Sequence, residues 1–323
     1  MELVLYFFLA FLSLLFSLKE KIIPSERVFG LLYFVVSLVM SVVIRFRNFD
    51  VDIQTYADAM LSSSFSFYYL REPVVWIGQR YLYQILGSQE AVFILFDLIA
   101  LGVLYKAFKN YRLPQYAFFS FLCFFPFILG IQNVYRQWYS VIFVLYAFSM
   151  SHENLSKRYF SFLLAGLSHN VAGLFSAPFF LMSKRIWEKI LGVVFVFLTP
   201  IAVLLSADTK SSASTGQNLV LAYLFLIALI SGVMVIASRL KVRQHEIKGY
   251  IILLFSIYSV VTTSLLLTST GAERTAMFAL MLLYPHLILS LEWHFKQSSI
   301  LRAALSVLGF FPILLFGTRQ FIL

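Results

Sequence analysis

The chain predicts an all-α polytopic membrane protein, and three observations carry that prediction. Of its 323 residues 61% are hydrophobic and 12% charged, with a mean hydropathy of +0.87, whereas a soluble domain is about half apolar and a quarter charged. Apolar runs long enough to span a bilayer recur from one end to the other. The lysines, finally, gather in connections that would share one side of a membrane. The net charge of +10 is therefore read as a topology signal and not as a nucleic-acid surface. The single cysteine, Cys123, sits in an apolar run, which excludes a disulfide framework and a cysteine metal cluster.

Taken in order, spans are expected at roughly 3–18, 28–44, 90–107, 115–131, 137–151, 190–206, 218–238, 249–269, 274–293 and 303–318. The first begins Met1-Glu2-Leu3, without a basic start or a small-residue cleavage site, so it reads as a retained helix. Taking the basic connections as cytoplasmic places ten of the eleven lysines inside: Lys19, Lys21, Lys106, Lys109, Lys157, Lys184, Lys189, Lys241, Lys248 and Lys296. Only Lys210 is left outside, and both termini and the loop 45–72 then face out. Residues 73–87 must start and end near the outer surface, as an interfacial or re-entrant helix opening at Pro73, a residue favoured at a first helical position. Together, 45–89 are expected to form an outward-facing amphipathic loop and interfacial helix. Residues 159–182 lie between two basic pairs, so they are expected to enter and leave on one side as a re-entrant pair. Each arm has about 10 residues, roughly 15 Å of helix, with the break at Leu167-Ser168-His169-Asn170. A single tilted helix is the alternative. The Ser/Thr-rich stretch 207–217 reads as a flexible outer loop, and the whole chain as one membrane domain, with about 10–12 transmembrane or re-entrant helices.

The most informative polar interval runs from Arg45 to Arg80. It carries four arginines, three aspartates and Glu72, and no lysine. Arg45, Arg47, Arg71, Arg80, Arg136, Arg274 and Arg319 all fall on or near the outer face, where topology disfavours basic residues. A guanidinium offers a planar fork matched to phosphate and carboxylate oxygens. Beside a lipid phase, such a set suggests a lipid-linked phosphate or pyrophosphate. Pairing with Asp50, Asp52, Asp58, Glu72, Glu90 and Glu273 is the structural alternative.

Several pieces follow one another along the chain: Arg47 with Asp52-x-x-x-Tyr56, Glu72-Pro73, Arg136-Gln137 opening a helix, Ser168-His169-Asn170 ending one, and Arg274 opening another. In that order and spacing the chain resembles the EpsG-like branch of the Wzy-type bacterial polysaccharide polymerases. It departs from their pattern at Phe49-Asp50 and at Val74, where glycine is usual. The resemblance implies a GT-C-like polymerase architecture in the bacterial inner membrane, serving O-antigen, capsule or exopolysaccharide synthesis. It implies a growing glycan on undecaprenyl pyrophosphate, transferred at the outer leaflet to a new lipid-linked repeat unit. A flippase and a chain-length regulator of the same pathway are the implied partners.

Such a transfer needs groups that neutralise the leaving pyrophosphate, a base for the acceptor hydroxyl, and a grip on the sugars. Arg136 and Arg274 are the leading pyrophosphate ligands, with Gln137 as a neighbouring donor and Arg45, Arg47, Arg80 and Tyr56 as further substrate-binding candidates. Interfacial snorkelling is the bland reading of arginine at a helix end. His169 is the candidate general base, since an unperturbed imidazole titrates at about 6.5; a structural histidine is the alternative. Asp52 and Glu72 are the other catalytic candidates. Asp50-Val51-Asp52 has the form of a glycosyltransferase metal motif, but arginines nearby would compete with a cation, so neither metal nor cofactor is expected. Tyr56, Phe67, Tyr68, Tyr69, Trp76, Tyr81, Tyr83, Tyr135, Trp138 and Tyr139 crowd the outer interface; sugar rings stack on such faces, but an interfacial aromatic belt explains most of them. Asp97, inside a predicted span, should be paired within the bundle. Arg136, Arg274 and His169 are expected to converge on one outward-facing cavity. Two other classes stay open, a lipid-linked glycan flippase or transporter and a membrane O-acyltransferase. The first would show repeated halves, and the second would place its histidine nearer the start than His152.

Overall fold

The computed structural model describes residues 2–19, 21–46, 49, 51–62, 64, 66–150, 154–205, 218–238, 246–295 and 298–311. Arg47, Asp50, His152, His245, Arg319 and the stretch 207–217 lie outside them. Among the described residues the chain is helical and has no strand, which makes it an all-α polytopic membrane protein. Its helices are α1 (Glu2–Ser17), α2 (Glu26–Arg45), α3 (Val51–Leu61), α4 (Pro73–Leu86), α5 (Gln89–Tyr111), α6 (Gln115–Leu122), α7 (Phe125–Gln132) and α8 (Tyr135–Ser149). There follow α9 (Leu155–Ser168), α10 (Ser176–Leu181), α11 (Ile186–Leu205), α12 (Val220–Ser238), α13 (Ile247–Leu266), α14 (Ser269–His294) and α15 (Ser299–Leu308). By length and composition α2, α5 and α11–α14 are six helices able to cross a membrane, and the bent pair α6–α7 makes a seventh if it is one span.

Two compact units divide the chain. Met1–Met150, Ser156–Asn170 and Gln297–Leu323 form the first; Ser151–Leu155 and Val171–Lys296 form the second. In the first, α1 packs on α6 and α15, α2 on α5, α5 on α8, and α3 on α4. Helices α2 and α5 run antiparallel. Lys109 at the end of α5 meets Glu26 at the start of α2 at 2.6 Å. Ser25 caps α2 through the Val28 amide, and Ser88 caps α5 through the Ala91 amide at 3.2 Å.

Two breaks shape the middle of this unit. Helix α6 stops at Cys123, and α7 starts at a 52° bend from it with Pro126 in its first turn. Proline has no amide proton and clashes with a preceding helical turn, so it ends one helix and suits the start of the next. The Phe125 amide finds its acceptor in the Gly309 carbonyl at the end of α15, at 2.9 Å. Backbone exposed at a break inside a membrane protein needs such a partner. The second break, at Asn133-Val134, starts α8 at Tyr135 and sets Arg136 in its first turn.

The interval 45–72, expected as a loop, instead forms α3 and a 3₁₀ turn at Phe67–Arg71. Its pattern explains the helix. Ile53, Tyr56, Ala57 and Met60 recur three and four residues apart and are all buried. The charged and polar residues between them hide this stripe in the sequence.

In the second unit α12 and α13 pack on α14, and α10 packs on α11. Helix α14 is buried along most of its length. At Gly192 of α11 an added Cβ would lie 2.8 Å from the Leu181 amide nitrogen, so only glycine permits this approach of α11 to α10.

Candidate active site

The first unit brings three expected site residues onto one carboxylate. Glu72 is the residue before Pro73 at the start of α4, and its side chain does not cap that helix. It turns to Arg136, whose Nη1 pairs with Glu72 Oε2. Glu72 Oε1 accepts the Asn170 amide at 3.4 Å and lies 3.8 Å from His169 Nε2. The side chains are 7% exposed for Glu72, 16% for Arg136 and 13% for His169, so the cluster is sheltered yet reachable.

Helix α8 positions two of the three. Arg136 and Ser140 stand one turn apart on the same face. Ser140 Oγ donates to the Ala165 carbonyl at 2.8 Å and to the His169 carbonyl at 3.5 Å. The face that carries Arg136 therefore also holds the C-terminal end of α9, where the helix stops at Ser168 and His169 follows. From Asn170 to Phe175 the chain continues as a 3₁₀ turn.

Aromatic rings close around the Arg136 guanidinium. Its carbon lies 5.0 Å from the Trp76 ring centre, 5.5 Å from Tyr56 and 5.9 Å from Tyr68. Nε donates to Tyr56 Oη at 3.0 Å, and Nη1 to Tyr68 Oη at 3.3 Å. Tyr69 stacks on Trp76 at 5.1 Å. A cation held by ring faces gains about 0.5–2 kcal/mol, and the rings fix the plane of the fork.

Electrostatics here set burial against pairing. Burial raises the Glu72 carboxyl above the ordinary glutamate value; Arg136 and the Asn170 amide oppose that rise without cancelling it. Burial also raises the Tyr56 phenol, which stays neutral and accepts from Arg136. Arg136 remains charged throughout.

The other expected residues are placed as follows. Asp52 lies in the first turn of α3, one turn before Tyr56. Gln137 is 1% exposed inside the unit. Arg80 on α4 donates to the Ser62 and Ser64 carbonyls, the latter at 2.6 Å, and so ties down the segment after α3. Arg45, at the end of α2, is 1% exposed. Its Nε and Nη2 bind Asp97 at 2.8 and 2.9 Å, and Nη2 also donates to the Ile131 carbonyl at 2.9 Å. Tyr135 Oη completes that group by donating to Asp97 at 2.8 Å. Asp97 thus has the buried partner its place in a span demanded. Arg274 belongs to the second unit, in the first turns of α14. Its neighbour Glu273 accepts the Leu219 amide at 2.7 Å, just ahead of α12. Arg47 and Asp50 lie outside the described residues.

Sequence reasoning missed the Asn170 amide and the closing of Tyr68 and Trp76 around Arg136. An aromatic belt and an aromatic cage have the same composition, so residue types alone do not tell them apart.

Fold and site define an integral membrane protein with an arginine, a carboxylate and a histidine drawn together beside an aromatic cage. The chain belongs to the EpsG family, whose model matches residues 30–320. Membership in that family suggests a role in polysaccharide polymerisation. No curated protein and no solved structure matches the chain.

Proposed function

We propose that the protein polymerises undecaprenyl-pyrophosphate-linked oligosaccharide repeat units at the outer leaflet of the bacterial inner membrane. The carrying observation is the single carboxylate of Glu72 shared by Arg136 and His169. Arg136 binds and neutralises the pyrophosphate of the lipid that carries the growing glycan. Its bidentate fork and fixed plane suit phosphate oxygens. His169 takes the proton of an acceptor hydroxyl on the new lipid-linked unit.

In the transfer, the acceptor oxygen forms a bond to the anomeric carbon of the growing chain. The bond from that carbon to the pyrophosphate oxygen breaks, and its electron pair leaves with undecaprenyl pyrophosphate. The hydroxyl proton passes to His169. A single displacement of this kind inverts the anomeric centre. Tyr56, Tyr68 and Trp76 hold Arg136 in plane, and Tyr68, about a third exposed, offers a face to a sugar. Asp52 is the reserve base. The arginine charge takes the part a divalent ion would play at the leaving group. Flippase and chain-length regulator of the same pathway are the partners this reading requires.

Purified protein with lipid-linked repeat units tests the reading through its glycan ladder. Arg136→Ala and His169→Ala should each abolish the ladder, the latter by about 10²–10⁴-fold in rate. Wild-type ladders from His169→Ala would remove it from the mechanism. Polymerisation should persist in EDTA; loss that Mg²⁺ or Mn²⁺ restores would refute the metal-independent reading.

A further inference from the structure

One turn beside the cluster divides its residues by chemistry. The segment Phe67–Arg71 is a 3₁₀ helix, in which residues three apart eclipse one another. Ser66 opens it, its hydroxyl accepting the Tyr68 amide at 3.3 Å. It ends at Glu72, which precedes Pro73 and is held out of helical geometry at φ −142°. Three edges result. Tyr69 stacks on Trp76 at 5.1 Å, which fixes the rotation of the turn. Tyr68 and Arg71 share the second edge, with the Arg71 guanidinium carbon 5.7 Å from the Tyr68 ring centre. Phe67 and Leu70 share the third and are 83% and 55% exposed.

We propose that this turn is the lateral entry for a lipid with a diphosphate head and a prenyl tail: Phe67 and Leu70 meet the tail at the bilayer surface, and Arg71 takes the head together with Arg136. The inference deepens the reading above and rests on its assignment of Arg136. Charge complementarity selects this occupant. The Tyr68 ring borders two cations, with the guanidinium carbons of Arg71 and Arg136 at 5.7 and 5.9 Å from its centre. Tyr68 Oη also accepts from Arg136 at 3.3 Å, so the ring ties the turn to the cluster. A diphosphate has two phosphoryl groups and oxygens enough for more than one guanidinium. A neutral glycan or an acyl chain has no use for the second cation. The two arginines also differ in reach. Arg71 is exposed and Arg136 sheltered, so a head group arriving along the turn meets Arg71 first. An aromatic and an aliphatic side chain on one edge, with a cation on the next, is the pattern of a segment seated between head groups and acyl chains.

Binding to the protein in nanodiscs of one lipid composition tests this, with inorganic pyrophosphate and farnesyl pyrophosphate as paired probes. Phe67→Ser combined with Leu70→Ser should leave inorganic pyrophosphate binding as in wild type. It should weaken farnesyl pyrophosphate about tenfold, since only that probe has a tail. Arg71→Ala should weaken both probes about tenfold. An equal response of the two probes to the double variant, or none, would leave the apolar edge as a membrane anchor and overturn the entry. Wild-type binding of both probes by Arg71→Ala would remove Arg71 from the head group and overturn it equally. Arg136→Ala separates the two levels of the argument. Binding that ignores Arg136→Ala sinks the assignment of Arg136 itself, whereas binding lost there without a tail effect at Phe67 and Leu70 sinks the entry alone. A farnesyl pyrophosphate with a diazirine in its first isoprene unit should label the peptide that carries Phe67 and Leu70; labelling confined to other peptides rejects the proposal.

Discussion

Arg136 is held by shape as well as by charge, and this separates it from a lysine. Its Nε, Nη1 and ring contacts are spread over Tyr56, Tyr68, Trp76 and Glu72. A lysine would keep one charge and lose the fork and its plane. Arg136→Lys should therefore damage polymer ladders nearly as much as Arg136→Ala, at equal expression; a largely active lysine variant would reduce the role to charge alone. Glu72 makes a prediction about stability. Burial raises its carboxyl above the unfolded value, so its contribution to stability is fully present in acid and is lost as pH rises through the raised value. Glu72→Gln removes that loss. Melting measured from about pH 4 to pH 8 should show the variant gaining on wild type as pH rises, and a gap that is constant with pH would contradict the raised carboxyl.

At the scale of elements, the breaks around α7 build the site. The Arg45–Asp97 pair supports the second of them, since it takes the Ile131 carbonyl near the end of α7 and holds Tyr135, the residue before Arg136. Breaking a buried pair by removing one partner costs about 3–5 kcal/mol, while replacing both by apolar groups is often neutral. Asp97→Ala should thus destabilise strongly, and Arg45→Met with Asp97→Leu should recover stability. If Arg45 only supports α7 and α8, the double variant also keeps its ladders; if it binds substrate, the folded double variant is inactive. Gly130 is the other support. A Cβ there would lie 2.7 Å from Trp138 Cδ1, in the contact between α7 and α8. Gly130→Ala should cost about 1–3 kcal/mol, read as a lower melting temperature. These elements were unevenly legible. The need for a partner to Asp97 follows from a charge inside an apolar run, but its identity 52 residues away does not. The same holds for Glu72 and Arg136, 64 apart. Residue type shows which side chains can do chemistry, and only packing decides which of them meet.

At the scale of the molecule, the membrane class was legible because it rests on composition, which no packing detail can reverse. Orientation rests on something subtler, the separation of lysine from arginine, and the first unit gives that separation a physical form. Lys109 lies at the α2-start end of the α2–α5 pair, and Asn110 bonds the Ser149 side chain at the close of α8 at 3.1 Å. Arg136 opens α8 at its other end, 13 residues before Ser149, about 20 Å along the axis. Likewise α9 runs from Lys157 near its start to His169 beside Glu72. Within this unit the lysines of α5 and α9 therefore stand at the end opposite the candidate site. If lysines mark the cytoplasm, the cluster of Glu72, Arg136 and His169 faces out, where a flipped lipid-linked glycan would arrive. Cys123 is fully buried and gives little background to thiol labelling. A Ser64→Cys variant should react with a membrane-impermeant maleimide in intact cells. Asn110→Cys, exposed at the lysine end, should react only after the inner membrane is opened. The reverse pattern would place the site in the cytoplasm and remove the outer-leaflet reaction with it.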